Sequence, residues 1–415
     1  MAKTLTVAIL HYAGPPTVGG VEATMAAHAR VMARAGHRVR IVAGRAGELG
    51  PGVEILADPL LASRGSEVEA VARDLAAGRA GPAFDALVDR IAERLSAALA
   101  GVDVAIVHNV LSLHKNLAFT AALRRLHASG AAPRLLAWCH DFAWRDPLYA
   151  PELHAGAPWD LLRTAWPGVR YVVVSADRRA MLSELLGLPE ADVAVVTPGV
   201  DLAAFLKLEP ETVELVERLD LLAADPLLLL PARITRRKRV ETAIAIAGAL
   251  ARAGLRPRLV VTGPPGPHNP SNAAYLDRLK RVREAGGAGE SVVFLYEVFA
   301  DREGRPRPVT DAMLADLYKL ADGLLMPSQS EGFGIPLIEA GLVGLPIFCS
   351  DIAPFRESAG DAALRFDPDA PPEAIAARIA GALRADERAA FRRRVRLEYT
   401  WEAIYQRDIV PLLGP

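Results

Sequence analysis

Cysteine is nearly absent from this chain: Cys139 and Cys349 are the only two in 415 residues. That excludes a disulfide framework and a cysteine-based zinc module. Lysine is scarce as well, with six against 42 arginines. Net charge is missing too, since 48 basic and 49 acidic residues leave a formal charge of -1. A surface built as a whole to hold nucleic acid is therefore excluded. Nothing approaches the ~20 apolar residues that span a bilayer. The most apolar stretch, 221–234, is broken by Asp225, Pro226 and Pro231. The 33 glycines and 31 prolines form no repeat. What is present is a chain 51% hydrophobic and 23% charged, rich enough to bury large cores and too long for one of them. The apolar run near the amino terminus is β-branched and leads into a glycine-proline loop, so it reads as a first buried strand rather than a signal peptide. A soluble, cytoplasmic protein of more than one domain is expected.

Short β-rich runs alternate with helical stretches throughout. Strands are expected at 5–11, 39–42, 102–107, 134–138, 169–174 and 193–196. A second series falls at 227–232, 258–261, 291–294, 323–326, 346–349 and 363–366. Helical patterns include 21–35, 67–99, 111–128, 240–253, 313–320 and 335–343. Continuous apolar strands separated by helices imply parallel sheets covered on both faces. Two series of about six imply two doubly wound α/β domains that join within 198–224. The tail from Thr400 is an amphipathic helix with Trp401 and Tyr405 as anchors, and residues 62–100 read as an alanine-rich helical insertion serving local packing. Open α/β sheets place ligand loops at the carboxyl ends of their strands. If those ends face each other, a cleft between the domains is the expected site.

Four loops carry the candidate chemistry. Between the first strand and first helix, Gly19-Gly20 can bring bare backbone N–H groups to an anion or sugar, or simply make a tight turn. The loop lacks the Lys-Ser/Thr of a P-loop and the spacing of a dinucleotide fingerprint. The segment Glu331-Gly332-Phe333-Gly334-Ile335 leaves an apolar strand and opens a helix containing Pro336 and Glu339, which makes an anion cradle flanked by two carboxylates. Favourable acids at a plain helix start are the alternative. Arg233 and Lys238, five residues apart in another strand-to-helix loop, suit a diphosphate, one as a planar fork and one as a point charge. A solvated basic turn is the alternative there. His140-Asp141 and His108-Asn109 end first-domain strands, where they can meet substrate or simply pair at a turn; Lys115 lies in the following helix and Ser175 reads as an N-cap.

In this order the motifs resemble a retaining glycosyltransferase of family 4, with the two-domain GT-B architecture. The resemblance rests on GGVE at Gly19, HD at His140, VVVSA ending at Ala176 and PGVD at Pro198. It continues through A-R-x4-K at Arg233, the VVTGPP turn and E-x7-E at Glu331 and Glu339, after ADGLLMPS. It implies an acceptor-binding Rossmann-like domain at 1–205, a donor-binding one at 222–399, and a terminal helix at 400–415 that packs back on the first.

The resemblance also implies site roles. Arg233 and Lys238 hold the donor diphosphate, Glu339 the ribose hydroxyls, and Glu331 lies near the transferred sugar. The backbone of Gly332, Phe333, Gly334 and Ile335 faces sugar and phosphate, and Gly19–Gly20 closes over the reaction centre. His140 stands beside the donor sugar, with Asn109 and His140 toward the acceptor. His140, Glu331, Arg233 and Lys238 are the expected catalytic set. Transfer of a glucose- or mannose-type hexosyl group from a nucleotide-diphosphate sugar follows, with no cofactor and no metal. The acceptor is a small molecule, a glycan or a lipid-linked molecule; nucleic acid is not a partner, and membrane association is at most peripheral. Two departures stand out: Ala232 where glycine is common, and a long link at 297–310, beside the expected base pocket, which leaves UDP, GDP and ADP donors open. A nucleotide-sugar 2-epimerase and a non-catalytic sugar-nucleotide binder share the pattern.

Overall fold

A computed structural model describes residues 4–265, 271–286, 288–301 and 303–414, with 271–273 in backbone only. The chain divides into two compact units, Met1–Val200 with Trp401–Pro415, and Asp201–Thr400.

The first unit is built on seven strands: β1 (Thr6–His11), β2 (Arg38–Ala43), β3 (Val53–Ala57), β4 (Val104–His108), β5 (Arg134–Cys139), β6 (Arg170–Val173) and β7 (Val193–Val195). All pair in parallel in the order β3-β2-β1-β4-β5-β6-β7. The chain winds outward from β1, returns, and winds the other way from β4, so β1 and β4 flank a topological switch point. Successive side chains on a strand point to opposite faces. Ala8 and Leu10 accordingly join one core cluster, while Val7 and Ile9 join another with Leu136 and Trp138. Both faces are covered, which is why the inner strands are apolar at nearly every position.

Three expectations change in this unit. An additional strand, β3, pairs only with β2 and is half-exposed, with Glu54 bound to Arg40 at 2.8 Å. An edge strand that buries so little has no continuous apolar run to betray it. The helical stretch expected at 67–99 is two helices, Ser66–Ala76 and Pro82–Ala98. They are parted where Gly78 takes φ +77° and Pro82 opens the second. The helix expected from 111 starts at Leu117, capped by Asn116, whose Oδ1 accepts from Phe119 N–H at 3.1 Å. The chain's last helical segment packs Trp401, Ile404, Tyr405 and Ile409 onto the Val7–Ile9 face. Arg134 donates to the carbonyls of Leu412 and Leu413 at 3.0 and 2.8 Å. Gly199 allows this docking, because a Cβ there would stand 2.9 Å from the Trp401 ring.

The second unit has six parallel strands: β8 (Leu227–Leu230), β9 (Arg258–Val261), β10 (Val292–Phe294), β11 (Gly323–Met326), β12 (Ile347–Ser350) and β13 (Ala363–Phe366). Their order is β10-β9-β8-β11-β12-β13, with its own switch point between β8 and β11. Leu228 and Leu230 face one cluster, Leu227 and Leu229 the other. Asp322, buried just before β11, accepts from Leu227 N–H at 2.7 Å and from Arg396 at 2.6 Å. That ties the helix Glu387–Glu398 to the start of β8. The long link forms a helix at Leu295–Val298 and a loop closed by an antiparallel Ala300–Pro306 bridge; its Arg302 lies outside the described residues. Glu297 within it is held by Lys280 and Arg283, each at 3.0 Å. Among the described residues no helix is long and apolar enough to cross a membrane.

Candidate functional site

The second unit gathers its charges on the two loops that leave its switch-point strands. The loop after β8 carries Arg233, then a 3-10 turn at Arg236–Lys238 and the helix Val240–Arg252. The loop after β11 carries Ser328, Glu331 and Gly332 into the helix Ile335–Leu342. Since β8 and β11 are neighbours, the loops lie side by side, and Gln329 N–H donates to the Arg237 carbonyl at 2.8 Å. Lys238 Nζ donates to Glu331 Oε1 at 2.5 Å, Ser328 Oγ to the same oxygen at 2.7 Å, and Arg237 reaches Oε2 at 3.5 Å. The Lys238 and Glu331 side chains are only 12% and 8% exposed, so these bonds must offset a real desolvation cost. Arg233 differs: it is exposed and has no ion pair or side-chain hydrogen bond among the described residues.

Backbone geometry sets these groups. Ile234 N–H donates to the Pro264 carbonyl at 3.0 Å, and the VVTGPP turn crosses closely over the Arg233 loop. A Cβ on Gly263 would stand 2.4 Å from the Ala232 carbonyl oxygen, so only glycine fits. Gly334 takes φ +104°, and a Cβ on it would meet Phe355 at 2.9 Å. The helix that follows has no side-chain cap. Pro336 in its first turn has no N–H and Leu337 N–H donates to the Gly334 carbonyl at 2.9 Å, so what the helix start offers an anion is the positive end of its dipole. Phe333 and Ile335 are exposed beside it. Half-buried Glu339 accepts from the Tyr318 hydroxyl at 2.5 Å. Burial and then this carboxylate push the Tyr318 phenol far above its ordinary pKa, so it stays a donor.

Histidines meet at the switch point of the first unit. His11 ends β1, His108 ends β4, and His140 follows β5. His11 Nδ1 lies 2.9 Å from the His108 carbonyl, and His108 Nδ1 lies 3.0 Å from His140 Nε2. The geometry thus pairs His140 with His108. His28, from the helix Gly20–Arg34, packs its ring 4.6 Å from Trp138, 5.3 Å from Trp401 and 5.5 Å from His108. Burial lowers the pKa of His28 to about 3 and that of His140 to about 4, and holds His108 well below its usual value. Burial also lowers His11. All four are neutral at pH 7. Asn109 sits at φ +57° and is only 2% exposed, and its Oδ1 accepts from His140 N–H at 2.7 Å. It therefore supports the His140 turn from beneath and presents no surface to an acceptor. Gly19 precedes the helix Gly20–Arg34, which has no side-chain cap, and Val18 beside it is fully exposed.

The structure thus brings Lys238 together with Glu331, and His140 with His108 and Asn109. Sequence reasoning missed His28, Ser328 and Tyr318. His28 could have been found on the core stripe Met25, His28, Ala29, Met32, at helical spacing. Tyr318 could have been found as a hydroxyl on the apolar face of the helix Asp311–Leu320, where buried Asp316 is its polar neighbour. Among the described residues no group of three or more His, Cys, Asp or Glu is placed to hold a metal ion.

Two doubly wound parallel sheets, each with polar residues gathered at its own switch point, define a two-unit Rossmann-like α/β protein of the GT-B class. The chain belongs to the group 1 glycosyltransferases of family 4: the model "Glycosyl transferases group 1" matches residues 214–397, and "Glycosyltransferase Family 4" matches 18–204. It is 29% identical over 198 residues to a D-inositol 3-phosphate glycosyltransferase of Thermomonospora curvata, covering 46% of this chain and 43% of that protein. A protein of the same name from Kineococcus radiotolerans is 31% identical over 206 residues, covering 47% of this chain and 44% of its own. The aligned stretch spans less than half of either relative. A solved glycosyltransferase from Rickettsia africae aligns over 99% of this chain and 98% of its own, at 15% identity and a TM-score of 0.38.

Proposed function

We propose that the chain is a retaining hexosyltransferase. It moves a glucose- or mannose-type hexosyl group from a nucleotide-diphosphate sugar to an acceptor hydroxyl, without a metal ion. The second unit holds the donor and the first holds the acceptor. One observation carries this reading: Arg233, Lys238 and the uncapped start of the helix Ile335–Leu342 converge on the β8–β11 switch point.

The bond from the anomeric carbon to the leaving phosphate oxygen breaks with its electron pair going to that oxygen. Negative charge grows on the diphosphate, where exposed Arg233, Lys238 and the positive end of the helix dipole oppose it. Lys238 then divides its hydrogen bonds between Glu331 and the phosphate. The acceptor oxygen bonds to the anomeric carbon on the face the phosphate leaves, and the hydroxyl proton passes to the leaving phosphate. Glu339, with one oxygen on Tyr318, keeps the other for ribose hydroxyls. His140, in the first unit, is neutral at pH 7, so it binds an acceptor hydroxyl without adding a positive charge.

The test is transfer from UDP-, GDP- and ADP-hexoses to an acceptor panel in EDTA, with the product anomer read by NMR. Retained configuration at an undiminished rate supports the reading. Inverted product or strict manganese dependence overturns it, and conversion of the nucleotide sugar without any acceptor assigns a 2-epimerase instead.

A further inference from the structure

The helical insertion at 62–100, expected to serve packing alone, walls a cavity of about 410 Å³ that lies wholly within the first unit. This is within the size range of small-ligand sites, roughly 300–1,000 Å³. The helix Ser66–Ala76 forms one side, the turn before the helix Leu117–Ala128 another, and Glu152 with Trp159 a third. The rim is fixed in advance: Asn116 Nδ2 donates to the carbonyls of Leu60 and Ala62, both at 2.9 Å, which ties the loop after β3 to the loop after β4.

Its polar groups are unusually uncommitted. Arg64 is exposed and Lys115 half-buried, and neither has an ion pair or side-chain hydrogen bond among the described residues. Lys115 Nζ sits 4.0 Å above the Tyr149 ring, which steadies the ammonium without neutralising it. Glu152 Oε2 lies 2.8 Å from His114 Nε2, while its other oxygen has no partner among the described residues. Facing these charges is an apolar wall that includes Val71, Leu75 and Trp159. Two free cations call for an anionic group, an open carboxylate oxygen for a hydroxyl, and the wall for a C–H face. A free anion would use only the first of these, and an uncharged sugar only the last two.

We propose that this cavity binds a small phosphorylated polyol, with its phosphate on Arg64 and Lys115, a hydroxyl on Glu152 and its carbon face on Leu75 and Trp159. On the reading of the first unit as the acceptor half, on which this step rests, that ligand is the acceptor.

Calorimetric titration of the full chain with glucose 6-phosphate, glycerol 3-phosphate and inositol 1-phosphate tests the site without any donor. At least one should bind, and R64A and K115A should each weaken it by about 10-fold, the scale of one charge-assisted hydrogen bond. Binding should be unchanged in R378A, at an exposed position on the helix Pro372–Ala385 of the second unit. No binding by any of the three, or equal binding in R64A and K115A, overturns the site. Inorganic phosphate binding as tightly as the best polyol overturns the polyol assignment. Retention on phosphatidylinositol vesicles with no binding of the free phosphates overturns the small-molecule assignment. Titration with UDP, GDP and ADP reports separately on the donor reading, so the two can fail independently.

Discussion

His28 should make the first unit acid-labile in a way that one substitution can remove. Its side chain is fully buried and both ring nitrogens lack hydrogen-bond partners among the described residues. Burial holds its pKa at about 3, against ~6.5 in an unfolded chain. The folded value is the lower one, so the unfolded state binds the proton more readily. The stability linked to neutral His28 is complete above pH ~6.5 and is lost as pH falls from there toward 3. Between pH 7.5 and 5.0 the linkage relation gives a loss of about 2 kcal/mol for this group alone. His28→Leu nearly preserves volume and has no nitrogen to desolvate, so it should lose about 2 kcal/mol less over that interval. Urea unfolding followed by tryptophan fluorescence isolates the relevant unit, because all five tryptophans (Trp138, Trp144, Trp159, Trp166 and Trp401) lie in it. His11, His108 and His140 remain in both proteins, so some acid sensitivity stays in each. An identical loss in wild type and variant would refute the buried, neutral assignment.

Arg233→Ala and Lys238→Ala should each slow transfer ~100-fold or more if they oppose leaving-group charge. They should differ in stability: removing Lys238 leaves nearly buried Glu331 with only Ser328 and a long Arg237 contact, whereas Arg233 has no partner among the described residues, so only K238A should lower the second unit's melting temperature. Tyr318→Phe removes the hydrogen bond that orients Glu339 and should raise the donor KM several-fold with little change in kcat, by ~1 kcal/mol of binding. A fall in kcat with KM unchanged would place Tyr318 in the chemistry instead.

The alternation of strand and helix made the two-sheet architecture legible, because inner parallel strands covered on both faces leave runs such as PLLLLPA. Edge strand β3 left no such run and was invisible. The strand-to-helix loops were legible for the same reason: glycine and charge right after an apolar run mark a switch-point loop. What no linear pattern gave was pairing across the sheet. Lys238 and Glu331 are 93 positions apart and meet only because β8 and β11 are neighbours. His108 and His140 meet through the β4–β5 pairing in the same way. Asn109 read as a ligand group because it ends a strand, but its left-handed backbone turns it inward. Asp322 was seen only as part of a motif; it is a buried tie to Arg396 and β8.

The central claim is that the switch-point loops of the second unit hold a nucleotide diphosphate. Calorimetric titration of the metal-free full chain with UDP, GDP and ADP, in wild type and R233A, tests it most directly. The account predicts that one of the three binds the wild type and that R233A weakens it by about 10-fold or more. No binding by any of them, or equal affinity in R233A, would contradict it.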